Sequence, residues 1–588
     1  MLRVAVVDKS VCRPKDCGHP CRKYCPIVRT GGEAIYFPDD KAPPVIDEYL
    51  CTGCGICVKR CPFEALSVVN LPEALEGEAF HRYFTNGFVL FRFPVIEQGT
   101  VIGILGENGI GKSTILKILF GQIVPNLGRV DASPSRDEVL RYLRGSTTMD
   151  VLKGIWEDKI KVSYKPQHVD IIPKVVSGRV KDLISKMVEM NKFDTVSELL
   201  NLSPIMDKDV TSLSGGELQR LAIAATSLKE ADLYLFDEPS SFLDVEQRLR
   251  VARLLHELKG DGKTVIVVEH DLALMDYLSD TVFVVYGVPA TYGVVSRAMS
   301  GRVGINSYLE GYIKAENVRF RKHSVTFQSK PPSDAGEMAS SVLSWAPQDV
   351  QLGSFRLHIE PGSIFAGEVL GVVGPNAIGK TTFVQTIIKN YFEAASREMV
   401  SYKPQYIFDI FDGTVGSVLR SNSDQEELPV WIEEELLRQL RLSRLLDREV
   451  KSLSGGELQA LAIAHTLMKQ ASFYFFDEPC AYLDVEQRLA TIRAIKRVIK
   501  STSSAAFVVE HDIMAVDFLS DRLIVFEGIP GVQGRARSPC PMEEGMNDFL
   551  RALNITFRRD VETKRPRVNK PGSRLDIEQR ARGKFYYQ

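Results

Sequence analysis

The sequence predicts a multidomain α/β protein in which a small cysteine-rich module precedes two copies of one phosphate-loop domain. Three observations carry that prediction. Eight of the ten cysteines lie before residue 62. The segment LSGGELQ occurs at 213–219 and again at 453–459. Around each copy the same short motifs run in the same order, the mark of a duplicated half.

A chain of 588 residues holds roughly three or four domains, because a single core stops growing near ~250 to 300 residues. With 44% hydrophobic and 25% charged residues and a net charge of −2, its composition is that of an ordinary soluble globular protein and excludes a bulk nucleic-acid binder. The opening MLRVAVVDKS is too short an apolar run for a signal peptide, and no window approaches the ~18 apolar residues of a membrane helix. The expectation is a cytoplasmic protein that touches no membrane.

The cysteine module comes first. Cys51, Cys54, Cys57 and Cys61, with Pro62, match C-x-x-C-x-x-C-x-x-x-C-P, the run that binds an iron–sulfur cluster in bacterial ferredoxins; zinc is the alternative. Cys12, Cys17, Cys21 and Cys25, with Pro26, form a looser partner. The ferredoxin crossover would give one [4Fe-4S] cluster to Cys12, Cys17, Cys21 and Cys61, and a second to Cys51, Cys54, Cys57 and Cys25. Arg13, Lys15, Arg22, Lys23, Lys59 and Arg60 lie between these ligands, where they either offset the cluster charge or grip RNA. Cys480 reads as a small buried side chain and Cys540 as a loop thiol.

Each half then opens on a phosphate loop. Gly106, Gly111, Lys112 and Ser113 match G-x-x-x-x-G-K-[ST] between the apolar strand VIGIL and the helical run TILKILF. Gly374, Gly379, Lys380 and Thr381 repeat it, with Asn108, Gly109 and Thr114 in the first loop and Asn376 and Thr382 in the second as further nucleotide contacts. Such a loop turns its backbone N–H groups onto phosphates, its lysine neutralises them, and its hydroxyl binds magnesium. In YLFDEP and YFFDEP an apolar strand ends in adjacent carboxylates. Asp237 and Asp477 are placed to hold magnesium through water, and Glu238 and Glu478 to face the attacking water. Ser-x-x-Glu in LSGGELQ is a capping box that starts a helix, and the capped start is also a cluster of N–H donors suited to phosphate.

The first half carries extra residues near 130–161, read as two short helices, DEVLRYLRG and DVLKGIWEDKIK, around a Gly/Ser/Thr break. They are either a plain surface insertion or a partner contact. Past each half lies another repeat, GINSYLEGYIKAENVRFR and GMNDFLRALNITFRRD. Both follow Gly/Pro-rich segments, YGVPATYG and FEGIPGVQG, read as hinges rather than strands. Residues 328–345 read as a mobile linker or loop. From Arg551 to the end the chain has eleven Lys/Arg against four Asp/Glu, so this tail is either a solvated extension or a contact with phosphates or an acidic interface. The expected domains are 1–74, 75–296, a hinge at 297–327, 328–528, and a second hinge with basic tail at 529–588.

LSGGELQ with the phosphate loops, YKPQ, DEP and EHD resembles a pair of ABC-type nucleotide-binding domains. The resemblance implies a ferredoxin-like iron–sulfur domain followed by two ABC-type P-loop domains in one chain, with each ATP between the phosphate loop of one domain and the signature of the other. Lys112 would then work with Ser454, Gly455, Gly456 and Glu457, and Lys380 with Ser214, Gly215, Gly216 and Glu217. Gln167 and Gln405 would sense magnesium and water, and His270 and His511 the outer phosphate. Closure on ATP and reopening on hydrolysis would make motion the product.

The cysteine module with CGICVKRCPF, HRY, NGIGKST, DEPSS, YGVP, FRRD and the basic end is similar to the ribosome-recycling ATPases of ABC subfamily E, also called the RNase L inhibitor family. That resemblance implies ATP-driven splitting of ribosomes beside a class-1 release factor or Pelota, retention on the small subunit and its rRNA, and contact with initiation factors. It also makes Tyr83 and Phe88 candidates for stacking on adenine, against plain core packing. Ala377 stands where the first loop has Gly109, so a positive φ there would strain it and set the two ATP sites apart. The rival readings are an ATP-gated iron–sulfur electron carrier and a binding protein that inhibits a ribonuclease.

Overall fold

In the computed structural model the described residues are 2–7, 12–39, 41–47, 50–71, 77–85, 87–130, 134–185, 192–321, 324–325, 341–392, 400–408, 410–421 and 436–586. The cysteine module pairs Leu2–Val7 antiparallel with Leu66–Leu71, and Ile35–Tyr36 with Val45–Ile46. Short helices at Pro14–Cys17, Pro20–Lys23, Pro26–Arg29 and Ile56–Arg60 hold Cys17, Cys21 and Cys57, with Cys25 and Cys61 flanking the last two. Its core is small: Ala5, Val7, Ala34, Ile35, Ile46 and Leu66 share it with the buried thiols of Cys21, Cys25 and Cys57.

Each half builds a sheet of nine strands among the described residues, with the same strand order. In the first, Val101–Leu105 lies between Thr281–Val288 and Thr264–Val268, with Leu233–Asp237 and then Val162–Lys165 beyond, all parallel. Val369–Val373, Arg522–Ile529, Ala505–Val509, Phe473–Asp477 and Val400–Lys403 repeat this in the second. VIGIL, LYLFD and TVIVV are buried throughout, as parallel strands covered on both faces must be. The phosphate loops and the carboxylates therefore leave the sheet at the carboxyl ends of its central strands, where open α/β sheets bind ligands. The inserted helices are Arg136–Tyr142 and Thr147–Trp156, capped by Ser135 and Ser146 and packed into the first core through Val139, Leu143, Val151 and Leu152.

Several expectations are corrected. YGVPATYG and FEGIPGVQG are not hinges but the turns of antiparallel hairpins, which join Thr281–Val288 to Tyr292–Val295 and Arg522–Ile529 to Gln533–Ala536. Their glycines mark close backbone approach: a Cβ on Gly293 would lie 2.0 Å from the Ile110 carbonyl oxygen, and one on Gly534 2.2 Å from that of Ile378. The sheets accordingly run past 296 and 528, through strands Met299–Ser300 and Cys540–Pro541, so Cys540 is a strand residue and not a loop thiol. Within the expected hinge at 297–327, Gly301–Glu310 is a helix followed by the pair Tyr312–Ile313 and Val318–Arg319. Its Ile305, Tyr308 and Leu309 pack with Val485, Leu489 and Met514 of the second half. Within the expected linker, Ser341–Trp345 is a strand on Gly362–Phe365, while 326–340 lies outside the described residues.

The basic tail is folded, which removes the solvated-extension reading. It forms the helix Met542–Ala552, a pair Phe557–Arg559 with Pro566–Val568, and the helix Arg574–Ala581. Its arginines meet an acidic interface. Arg565 and Arg567 reach Asp276 of the first half at 3.3 and 2.6 Å, and Arg559 reaches Asp517 of the second at 2.7 Å. The tail thus straps the two halves together.

Candidate functional site

The strand Val101–Leu105 delivers the first loop and the helix Lys112–Leu119 leaves it. Gly109 and Gly111 sit at φ 74° and 101°, where a side chain would be strained. Lys112 folds back over the loop and donates to the carbonyls of Gly106 and Glu107 at 2.8 and 2.7 Å. Lys380 does the same to Gly374 and Pro375 at 2.9 and 2.6 Å. Burial lowers the pKa of both lysines, Lys380 to about 8. A buried ammonium held only by carbonyls is poised for an anion.

The acidic strand ends meet these loops. Ser113 Oγ donates to Asp237 at 3.1 Å, and Thr381 Oγ1 to Asp477 at 2.8 Å. Gln167 Nε2 donates to Glu238 at 2.8 Å, and Gln405 to Glu478 at 2.7 Å. His270 and His511 stand 3.4 and 3.5 Å from the same two glutamates. Burial alone would raise the pKa of each glutamate. The nearby imidazole of His270 with Lys112 and Lys165 outweighs it at Glu238, as that of His511 with Lys380 and Lys403 does at Glu478, and both fall to about 2. Asp237 and Asp477 are raised by burial, with the adjacent glutamate adding to it. These donor sets, hydroxyl, carboxylate and amide oxygen, suit magnesium.

The two halves close on each other. A cleft of about 610 Å³ brings Asn108, Lys112, Ser113, Thr114, Gln167, Asp237 and Glu238 against Ser454, Gly455 and Gly456 of the second half. The capping boxes that LSGGELQ predicts, Ser214 with Glu217 and Ser454 with Glu457, are formed, and one of these helix starts lines the cleft. Tyr83 and Phe88 line its other side, their rings 6.5 Å apart, and Tyr83 bonds Thr114 at 3.0 Å. Phe88 also packs on Gly111 and the core, where a Cβ on that glycine would meet its ring at 2.6 Å. Val7 of the cysteine module reaches the same cleft, and Arg13 Nη2 donates to the Asp447 carbonyl at 2.6 Å.

Sequence reasoning missed two carboxylates. Asp484 accepts from the backbone N–H of Asn108 at 3.3 Å, and Asp244 from that of Asn376 at 2.9 Å, each across the interface between the halves. The repeated LDVEQRL that contains both was the available signal. Ala377 has φ 57°, the left-handed backbone that Gly109 adopts in the first loop.

In the cysteine module Cys25, Cys51, Cys54 and Cys57 ring one space. Around Cys21 lie Cys17, Cys12 and Cys61. Burial pushes the thiols of Cys21 and Cys57 up to about 12. Among the described residues no three His, Cys, Asp or Glu converge as around a single ion. Cys480 is buried.

Fold and site together define a twin ABC-type ATP-binding protein with an iron–sulfur domain. Family models agree: "ABC transporter" matches 95–241 and 361–481, "4Fe-4S binding domain" matches 44–67, and a possible Fer4-like domain in RNase L inhibitor matches 2–33. An uncharacterized ABC transporter ATP-binding protein of Methanocaldococcus jannaschii is 48% identical over 100% of this chain and 98% of its own length. Translation initiation factor RLI1 of Chaetomium thermophilum is 45% identical over 100% of this chain and 97% of its own. Among solved structures, a model of ribosome-bound archaeal Pelota and ABCE1 matches with TM-score 0.94 and 48% identity, covering 100% of this chain and 99% of that one. The chain belongs to ABC subfamily E, the RNase L inhibitor family. Among the described residues no helix is long and apolar enough to cross a membrane.

Proposed function

We propose that this protein is an ATP-driven ribosome recycling factor of the cytoplasm. It splits terminated or stalled ribosomes beside a class-1 release factor or Pelota, and it stays on the small subunit and its rRNA into contact with initiation factors. The observation that carries the reading is the shared cleft: Lys112 of one half, Ser454 of the other and Val7 of the cysteine module line the same space. Nucleotide in that space would therefore set the position of the whole cysteine module.

In this reading the N–H groups of residues 106–113 and the Lys112 ammonium bind the phosphates of ATP, and Tyr83 and Phe88 hold its base. Magnesium, held by Ser113, Asp237 and Gln167, would supply neutralisation of phosphate charge. Glu238 orients the attacking water and accepts its proton, His270 contacts the outer phosphate, and Ser454, Gly455 and Gly456 close the site. Lys380, Thr381, Gln405, Asp477, Glu478 and His511 repeat these roles with Ser214, Gly215 and Gly216. Neither site is complete until the halves close, so binding does mechanical work and hydrolysis releases it. Two [4Fe-4S] clusters would crosslink the cysteine module into a stiff lobe that needs little hydrophobic core.

A sucrose-gradient splitting assay tests this with purified ribosomes, the cluster-loaded protein, ATP and a release factor or Pelota. Subunits should separate, with the protein on the small one when Glu238→Gln and Glu478→Gln block hydrolysis. Intact ribosomes under these conditions would overturn the proposal.

A further inference from the structure

Glu238 and Glu478 both hold φ 48°, a left-handed backbone that strains a residue other than glycine. Such a conformation persists only where its surroundings impose it. Here the imposed point is the glutamate's own carbonyl. That of Glu238 accepts from Lys165 Nζ at 3.1 Å and Gln219 Nε2 at 2.7 Å. That of Glu478 accepts from Lys403 Nζ at 3.1 Å and Gln459 Nε2 at 2.8 Å. All four donors are 0% exposed. The Oε1 atoms of both glutamines have no partner, so these carboxamides are buried for the sake of their N–H groups.

The two glutamines matter for where they sit. Gln219 lies on the helix Gly215–Ser227, one turn beyond its start at Ser214. Gln459 lies likewise on the helix that starts at Ser454. Ser454, Gly455 and Gly456 line the cleft of Lys112, whereas Gln459 of that same helix grips Glu478, the glutamate of the Lys380 loop.

We infer that Gln219 and Gln459 are positioning residues that couple the two ATP sites, each tying the helix that closes on one site to the backbone of the glutamate that serves the other. The inference rests on the ATPase reading given above. An α-helix is stiff over one turn, so a shift of its first residues on meeting phosphate moves the glutamine and, through a strained carbonyl, re-aims the glutamate.

The test uses the full-length, cluster-loaded protein and phosphate release from ATP. First-site turnover is measured in two backgrounds: Glu478→Gln, whose second site binds ATP without hydrolysing it, and Lys380→Ala, whose second site does not retain it. With Gln219 present the two rates should differ by about 2- to 10-fold, the effect of one hydrogen bond of ordinary strength. Gln219→Met, which keeps the side-chain length and loses the donor, should make the two rates equal while leaving KM for ATP unchanged, because Gln219 does not line the cleft. An undiminished difference in Gln219→Met, or no difference with Gln219 present, overturns the coupling. Absence of turnover in both backgrounds, whatever stands at 219, would instead sink the ATPase reading. Gln459→Met in the mirrored backgrounds Glu238→Gln and Lys112→Ala repeats the test on the other helix and decides the matter if Gln219→Met does not fold.

Discussion

Asn108 and Asp484 belong to opposite halves of the chain, and the backbone N–H of the first donates to the carboxylate of the second at 3.3 Å. Asp484 also caps the helix Val485–Thr502 by accepting from the Gln487 N–H at 2.9 Å, so one side chain begins a helix and holds the opposing phosphate loop. The two duties separate on substitution. Asp484→Ser keeps a capping oxygen but is one atom too short to reach Asn108. It should lower ATP turnover by about tenfold with little change in stability, whereas Asp484→Ala should in addition lose about 1 kcal/mol of cap. ATPase rates beside denaturant midpoints check both. Full turnover in Asp484→Ser would show that the contact is idle.

Glu107 gives the first site a charge link that the second lacks. Arg441 of the second half reaches Glu107 at 3.0 Å and Glu486 at 2.7 Å, and Glu486 also meets Arg321. The corresponding residues of the other pair, Pro375 and Asn201, carry no charge. Burial, then the Glu486 carboxylate, push Glu107 up to about 7 against the pull of Arg441. Its value is raised, so the closed form holds a proton that an open form releases. Closure is therefore favoured most below 4.5, the ordinary value, and weakens as pH climbs to about 7. Closure read by energy transfer between dyes on the two halves should lose this slope in Glu107→Gln; a slope that survives would place its origin elsewhere.

Gly109 and Ala377 hold equivalent places in the two loops at φ 74° and 57°. A Cβ on Gly109 would meet nothing closer than 3.5 Å, so backbone strain is the whole cost of adding one. Gly109→Ala should destabilise by about 1 kcal/mol, and Ala377→Gly should stabilise by a similar amount. Denaturant midpoints of the two variants moving in the same direction would contradict this.

The proposed crossover of cysteines between two clusters predicts how iron is lost. Cys25→Ser should remove the cluster of Cys51, Cys54 and Cys57, and Cys61→Ser that of Cys12, Cys17 and Cys21, each leaving about half of the iron. Iron analysis with EPR of the reduced protein measures it. Equal damage to both clusters in either variant would argue against separate sets.

Asp276 is the acidic partner of two tail arginines, one of which, Arg565, is 0% exposed. Asp276→Ala leaves that buried charge without its carboxylate, at a cost of about 3 to 5 kcal/mol. The tail should then become sensitive to limited proteolysis while the sheets stay resistant. Unchanged resistance of the tail would mean that Asp276 is dispensable to the strap beside the contacts of Arg302 and Asn306 with Asp560 and Glu562.

Much of this protein was legible in its sequence because the chemistry is local. A phosphate loop needs its glycines, lysine and hydroxyl within eight residues, a strand-end pair is two adjacent residues, and a capping box spans four; the structure forms each where its motif stands. The glycines of YGVPATYG misled because a glycine needed for a hinge and one needed for close backbone approach look alike in a sequence. Only the packing of Gly293 on Ile110 tells them apart. The basic tail misled in the same way, since a charge run says nothing of the carboxylates that will face it, and Asp276 and Asp517 lie far away along the chain.

The sequence by itself determined the duplicated halves, the residue types of each phosphate site and the cysteine spacing, all properties of short range along the chain. Tertiary structure alone decided that Val7 of the cysteine module reaches the cleft, that Asp484 and Asp244 hold the opposing phosphate loops, and that Gln219 and Gln459 grip the backbones of Glu238 and Glu478. Those relations depend on how separate surfaces meet, and the free energy of that meeting is summed over many weak contacts distant in sequence, so no single motif carries its record.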